Sequence, residues 1–180
     1  MAVIEMRYAR TENFTGSVLP GYDAPVALLR REAAKALAKA AKQVEAQGYR
    51  LKIWDAYRPV RATLAMVAWT ERHGRTDLLD DGYIARRSRH NQGVAVDLTL
   101  VRADDGTELD MGTPFDEFSA RSHTANATGI VAANRRILVD AMGSAGFTNY
   151  TNEWWHFSYT VPGPLPFDLP LAAWHASEVR

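Results

Sequence analysis

The chain has 180 residues, 47% of them apolar, which suits a single domain over residues 1–180 with a packed core and argues against disorder. Its 21 Lys and Arg balance its 21 Asp and Glu, so charge makes no case for a nucleic-acid or anionic-membrane partner. Cysteine is absent, which excludes disulfides and thiolate metal sites; any metal would have to be held by His, Asp or Glu.

The first residues, MAVIEMRYARTENF, lack the apolar centre of a signal peptide, and no run of about 18 apolar residues follows. No membrane insertion is therefore expected. The chain reads as cytoplasmic as written, or as periplasmic or secreted if a leader has been removed. Residues 1–24 are rich in turn formers and read as a surface wrap. Residues 25–47 carry the clearest helical stripe, Leu28, Leu29, Ala33, Ala36, Leu37, Ala40, Ala41 and Val44, with Pro25 in the first turn and Gly48 at the end. Residues 49–55 (YRLKIWD) predict a strand, and residues 59–73 a second helix after the turn at Arg58-Pro59. In residues 94–101, Val94, Val96, Leu98 and Leu100 alternate with Ala95, Asp97 and Thr99, the period of a strand. A third helix is predicted over 128–145, then a β-rich stretch with a polar interruption, then a Pro-rich tail from Val161, either ordered or fraying. Helices and strands mix without a βαβ rhythm, so the expected fold is α+β, a central antiparallel sheet packed by helices.

Asp97 is the anomaly in that strand, because a buried carboxylate is costly unless something pairs with it. His90 lies just before the strand, beyond an Asn-Gln-Gly turn that lets the chain bend back. A second anomaly is EWWH, where Glu153 and His156 interrupt an aromatic run. Residues three apart in a strand face opposite sides, so the two share a site only if the backbone twists or Glu153 lies just before the strand. One arrangement explains both: His90, Asp97 and His156 hold a divalent metal, and Glu153 stands beside it as a base. Three protein ligands leave a position for water, the mark of a catalytic zinc site. Taken singly, each residue has a plainer reading. Asp97 then salt-bridges to an arginine or caps a turn, His156 is a satisfied core histidine, and Glu153 is solvated. Spacing alone leaves the metal site and these readings evenly matched. His73 and His175 read as surface residues, and His123 as a loop residue that is not a ligand. Arg58, fixed by the following proline, suits an oxyanion clamp; without further support it reads as a surface cap of the next helix.

SRHNQGVAVDLTL fits the S-x-H-x-x-G-x-A-x-D motif, and NEWWHF the E-x-W-H motif, of the zinc D,D-peptidases. With RYARTENFTG, GYDAP, WDAYRPVRA, MGTPFDEFSARSH and NRRILVDAMGSAGF in family order, the chain more closely resembles the D-Ala-D-Ala dipeptidases of the vancomycin-resistance type. The resemblance implies the small α+β fold shared with the signalling domain of hedgehog proteins. It implies one zinc ion per chain, held by His90, Asp97 and His156, with Glu153 as catalytic base and Arg58 as transition-state arginine. Ser88, Asp116 and Tyr8 match substrate-binding positions. The implied reaction is hydrolysis of D-Ala-D-Ala or a related short D,D-dipeptide by a metal-activated water. Two alternatives stay open. One is a D,D-carboxypeptidase trimming peptidoglycan peptides, whose groove a shortened segment 69–82 would provide. The other is a non-catalytic zinc-stabilised binding module, which would need neither Glu153 nor Arg58.

Overall fold

The structure, a computed structural model, describes residues 2–175, and for residues 174 and 175 the backbone alone. The surface reading of His175 therefore lies outside the described side chains. Among the described residues the elements in order are β1 (Val3–Ile4), α1 (Arg31–Glu45), β2 (Tyr49–Asp55), α2 (Val60–Arg72), α3 (Asp77–Asp80), β3 (Ala95–Arg102), α4 (Gly129–Ser144), β4 (Phe147–Asn149), β5 (His156–Tyr159) and α5 (Leu171–His175). Short 3-10 turns occupy Arg7–Ala9, Arg89–Gln92 and Ala120–Ser122.

The strands form one sheet in the order β1-β2-β3-β5-β4. Every pairing is antiparallel except β1 with β2. The expected antiparallel sheet thus gains a parallel edge. Parallel neighbours need a long crossover, and the 44 residues between Ile4 and Tyr49, which include α1, supply it.

Register separates the two faces. Leu51 pairs with Leu100, Ile53 with Leu98 and Val96 with Phe157, so these side chains share one face. Ala33, Ala36, Leu37, Ala40 and Val44 of α1 and Leu138, Ala141 and Met142 of α4 cover it. Each fully buried Val, Leu, Ile, Met or Phe side chain there contributes about 1.5–3 kcal/mol, and each alanine methyl well under that. Asp97 and His156, direct cross-strand partners, point to the other face. A second apolar cluster stands opposite them, built from Met6, Tyr8, Leu19 and Tyr22, from Ala62, Met66 and Val67 of α2, and from Leu78, Ile84 and Leu171.

Two expectations change, and the alternatives left open for the tail are decided. Helix α1 starts at Arg31, because residues 25–30 pair elsewhere: Leu28 O accepts from Tyr57 N and Gly93 O from Arg30 N, both at 2.8 Å. Tertiary pairing overrides the helical stripe at Leu28 and Leu29. The N-terminal segment is more than a surface wrap, since Met6, Tyr8, Leu19 and Tyr22 are each at most 4% exposed and form part of a core. The tail docks, with Leu171 fully buried and its N–H bonded to Gly21 O.

Candidate metal centre and active site

The site is assembled from two segments that approach the polar face of β3. The first is the turn Arg89–Gln92. Ser88 Oγ accepts from His90 N while Asn91 Oδ1 accepts from Ser88 N, a reciprocal cap that fixes the turn. Gly93, at φ +66°, then reverses the chain into β3, a conformation glycine adopts without Cβ strain. Asn91 Nδ2 further donates to Arg58 O and Thr63 Oγ1, tying the turn to the entry of α2. The second segment is the turn between β4 and β5. Strand β5 begins at His156, so Glu153 lies just before it, in the turn closed by His156 N to Glu153 O at 3.2 Å.

His90, Asp97 and His156 converge. Asp97 Oδ1 lies 2.9 Å from His156 Nδ1 and 3.3 Å from His90 Nε2, and the two ring nitrogens are 3.1 Å apart. Ligand atoms each 2.0–2.1 Å from a tetrahedral ion would stand roughly 3.3 Å from one another, close to this triangle. Proton counting agrees. His90 Nδ1 sits 2.6 Å from Ala56 O, which can only accept, so that nitrogen carries the hydrogen, and in the neutral ring Nε2 presents a lone pair. Three acceptor-capable atoms then face one another, and a single proton cannot satisfy all three. A cation can, and the residues present fit one.

The electrostatics are strongly perturbed. Burial pushes the Asp97 carboxyl up, but the imidazoles of His90 and His156 outweigh it and hold Asp97 far below the usual carboxylate range. Glu153 is 7% exposed; burial, then the charges of Asp97 and Asp116, hold its carboxyl well above its ordinary value, with Arg58 opposing. Its Oε2 lies 3.9 Å from His156 Nδ1. These groups open onto a cleft of about 350 Å³ whose walls include Tyr8, Arg58, Ser88, Asp116 and Trp155.

A model of the D-Ala-D-Ala dipeptidase family matches residues 2–166. The chain is 38% identical over 186 aligned residues to a D-alanyl-D-alanine dipeptidase of Enterococcus faecium, covering 93% of this chain and 91% of that one. It is 36% identical to another of Streptomyces coelicolor, over 93% and 92% of the two chains. The chain belongs to the D-Ala-D-Ala dipeptidase family. More distantly, it overlays on a zinc-bound vancomycin-resistance D,D-pentapeptidase at 20% identity, covering 73% of this chain and 72% of that one, with a TM-score of 0.44.

In this family member Arg58 is no surface cap. Helix α2 has Pro59 at its N-cap position and no side-chain cap, and the Arg58 side chain is only 11% exposed. It donates from Nε and Nη2 to Asp55 Oδ2 at 3.0 and 2.8 Å, stacks over Tyr8 at 5.1 Å, and holds Nη2 3.8 Å from Asp97 Oδ2. Tyr8 OH donates to the Asp116 carboxylate, 3.0 Å from each oxygen. Asp116 is the only non-glycine residue at positive φ among those described, at +62°. Ser88 lines the cleft, its oxygen already engaged in the turn. His123 stands outside the triad, with Nε2 3.0 Å from Tyr83 OH. His73 is exposed and stacks on Trp69.

Asp55 was missed from sequence. It is fully buried, holds Arg58, accepts from Tyr22 OH at 2.5 Å, and places Oδ2 3.4 Å from His90 Nδ1. The signal was the same one that exposed Asp97: a carboxylate ending an apolar strand, in YRLKIWD.

Proposed function

We propose that this chain hydrolyses free D-Ala-D-Ala, with one zinc ion held by His90, Asp97 and His156. The observation that carries the reading is the convergence of three donor atoms beside a buried carboxyl, Glu153, and a clamped guanidinium, Arg58, within one cleft. A zinc ion there would supply Lewis acidity, allowing water to lose its proton near neutral pH and polarising the scissile carbonyl.

The remaining roles belong to the chain's own side chains. Glu153 accepts the proton of the attacking water and returns it to the leaving amine. Arg58, fixed by Asp55, stabilises charge developing on the carbonyl oxygen; a contact of this kind is worth about 2.7–4 kcal/mol of barrier. Asp116 receives the substrate ammonium, oriented for it by Tyr8, and the Ser88 hydroxyl hydrogen is available to the substrate. This favours a free dipeptide. A longer peptide carries a neutral amide where the dipeptide carries its ammonium, leaving Asp116 without the cation.

The test is release of D-alanine from D-Ala-D-Ala with and without a chelator, beside a pentapeptide ending in D-Ala-D-Ala. The expected result is dipeptide turnover that a chelator abolishes and zinc restores, with the pentapeptide much poorer. Preference for the pentapeptide would make this a carboxypeptidase. Zinc binding without turnover of either would make it a binding module, and chelator-resistant turnover would refute the metal mechanism.

A further inference from the structure

Helix α4 buries a cation that forms no direct ion pair among the described residues, Asp110 acting on it only at longer range. Arg135 is 2% exposed, and its guanidinium is spent on backbone carbonyls. Nε donates to Met111 O at 2.9 Å, and Nη2 to Met111 O at 2.6 Å and Arg121 O at 3.1 Å, while Nη1 donates to His123 O at 2.8 Å. Its neighbour Asn134 donates to Asp110 O. Burying a guanidinium without a directly paired carboxylate is expensive, and dense hydrogen bonding makes it tolerable. The acceptors are not scattered. All three lie in residues 111–123, the loop whose middle carries Asp116 in its left-handed conformation.

The same guanidinium sits 5.8 Å from the ring of Trp154, the residue after Glu153. Trp154 is bound to the loop in turn: its Nε1 donates to Thr113 Oγ1 at 2.8 Å and its backbone N to Ser122 O at 3.0 Å. Thr124 N donates to Thr151 O at 2.9 Å, a further tie between loop and turn. Arg135 thus stands behind two segments, one presenting Asp116 to the cleft and the other presenting Glu153.

We propose that Arg135 is a positioning residue that fixes the Asp116 loop against the Glu153 turn, and so sets which bond of a peptide lies before Glu153 once its ammonium is held. The proposal rests on the reading of Asp116 as the ammonium partner. Arg135 touches no substrate. It acts by keeping the distance between the ammonium anchor and the base constant, so its loss relaxes the preference for a free amino terminus.

The experiment uses Arg135→Lys and Arg135→Met in the full chain, with Asp116→Ala as reference. Each is assayed on D-Ala-D-Ala and on N-acetyl-D-Ala-D-Ala, which lacks the ammonium, and zinc content is measured for each. A lysine keeps the charge but cannot serve three carbonyls from one planar fork, so it carries the test if the methionine variant does not fold. Arg135→Lys is expected to retain zinc and to raise KM for D-Ala-D-Ala about tenfold or more, the scale of one charged contact. The preference for D-Ala-D-Ala over the acetylated substrate should fall by a similar factor, and Arg135→Met should go further. An Arg135→Lys enzyme with unchanged KM and unchanged preference overturns the proposal, as does an equal loss of rate on both substrates. If Asp116→Ala itself leaves KM for D-Ala-D-Ala unchanged, the ammonium reading fails, and the proposal with it.

Discussion

Replacing Asp55 by alanine removes the one carboxylate among the described residues that is hydrogen-bonded to Arg58. In the native chain the Asp55 carboxylate is fully buried and accepts three hydrogen bonds, at 2.5 Å from Tyr22 and at 3.0 and 2.8 Å from Arg58. Without it, the guanidinium keeps the Met66 sulfur at 3.2 Å and a looser contact to Asp97 at 3.8 Å. Breaking a buried pair from one side costs about 3–5 kcal/mol, because the surviving charge stays desolvated. The orphaned Tyr22 hydroxyl adds about 1 kcal/mol or more. A chain of this size is stable by roughly 5–15 kcal/mol in all, so the loss is a large fraction of the total. The assay is urea unfolding of both proteins in excess chelator, so that metal binding does not contribute to the difference. Asp55→Asn, which keeps the shape and one acceptor, should lose less than Asp55→Ala. A loss under about 1 kcal/mol for Asp55→Ala would show that Arg58 finds an equivalent partner, and would refute the claim that Asp55 holds it.

Glu153→Ala should keep zinc and fold but lose turnover of D-Ala-D-Ala by two to four orders of magnitude, roughly the span of general-base catalysis; an active variant removes Glu153 as the base. His156→Ala should lose bound zinc on dialysis, read by metal analysis, and full occupancy would break the ligand assignment. Gly82→Ala and Gly48→Ala form a matched pair, at φ +81° and +83°. A methyl at Gly48 meets nothing within 4 Å, so only the conformational penalty of about 1–2 kcal/mol applies; at Gly82 it would stand 2.7 Å from the Tyr150 hydroxyl, and the melting temperature should fall further. Leu138→Ala, at a fully buried position of α4, should cost about 2–5 kcal/mol in urea unfolding.

Local pattern made much of the frame legible. Helices α2 and α4 lie within a residue of the ends that periodicity and glycine placement predict, and the alternation around Asp97 marks β3 to within one residue. What pattern could not show was pairing at long range. Leu28 and Leu29 continue the α1 stripe perfectly well on their own; only the ladder from Tyr57 and Arg30 draws their backbone away. Tyr8 and Tyr22 sit among turn formers, so their burial depends on a partner cluster from α2 and the tail that no local window contains. The site divides in the same way. Asp97, His90 and Glu153 announce themselves as polar groups in apolar or aromatic surroundings. Asp55 gave the same signal and went unread, and Arg135 gave none, since an arginine among the apolar positions of a helix looks like a solvated face until the loop it grips is in place.

The central claim is that one zinc ion joins His90, Asp97 and His156. X-ray absorption at the zinc edge of the zinc-loaded protein addresses it most directly. Two imidazole nitrogens and carboxylate or water oxygens are expected at about 2.0–2.1 Å, with one zinc per chain and with that shell lost from His156→Ala after dialysis. A zinc shell without imidazole, or one that His156→Ala leaves unaltered, would contradict it.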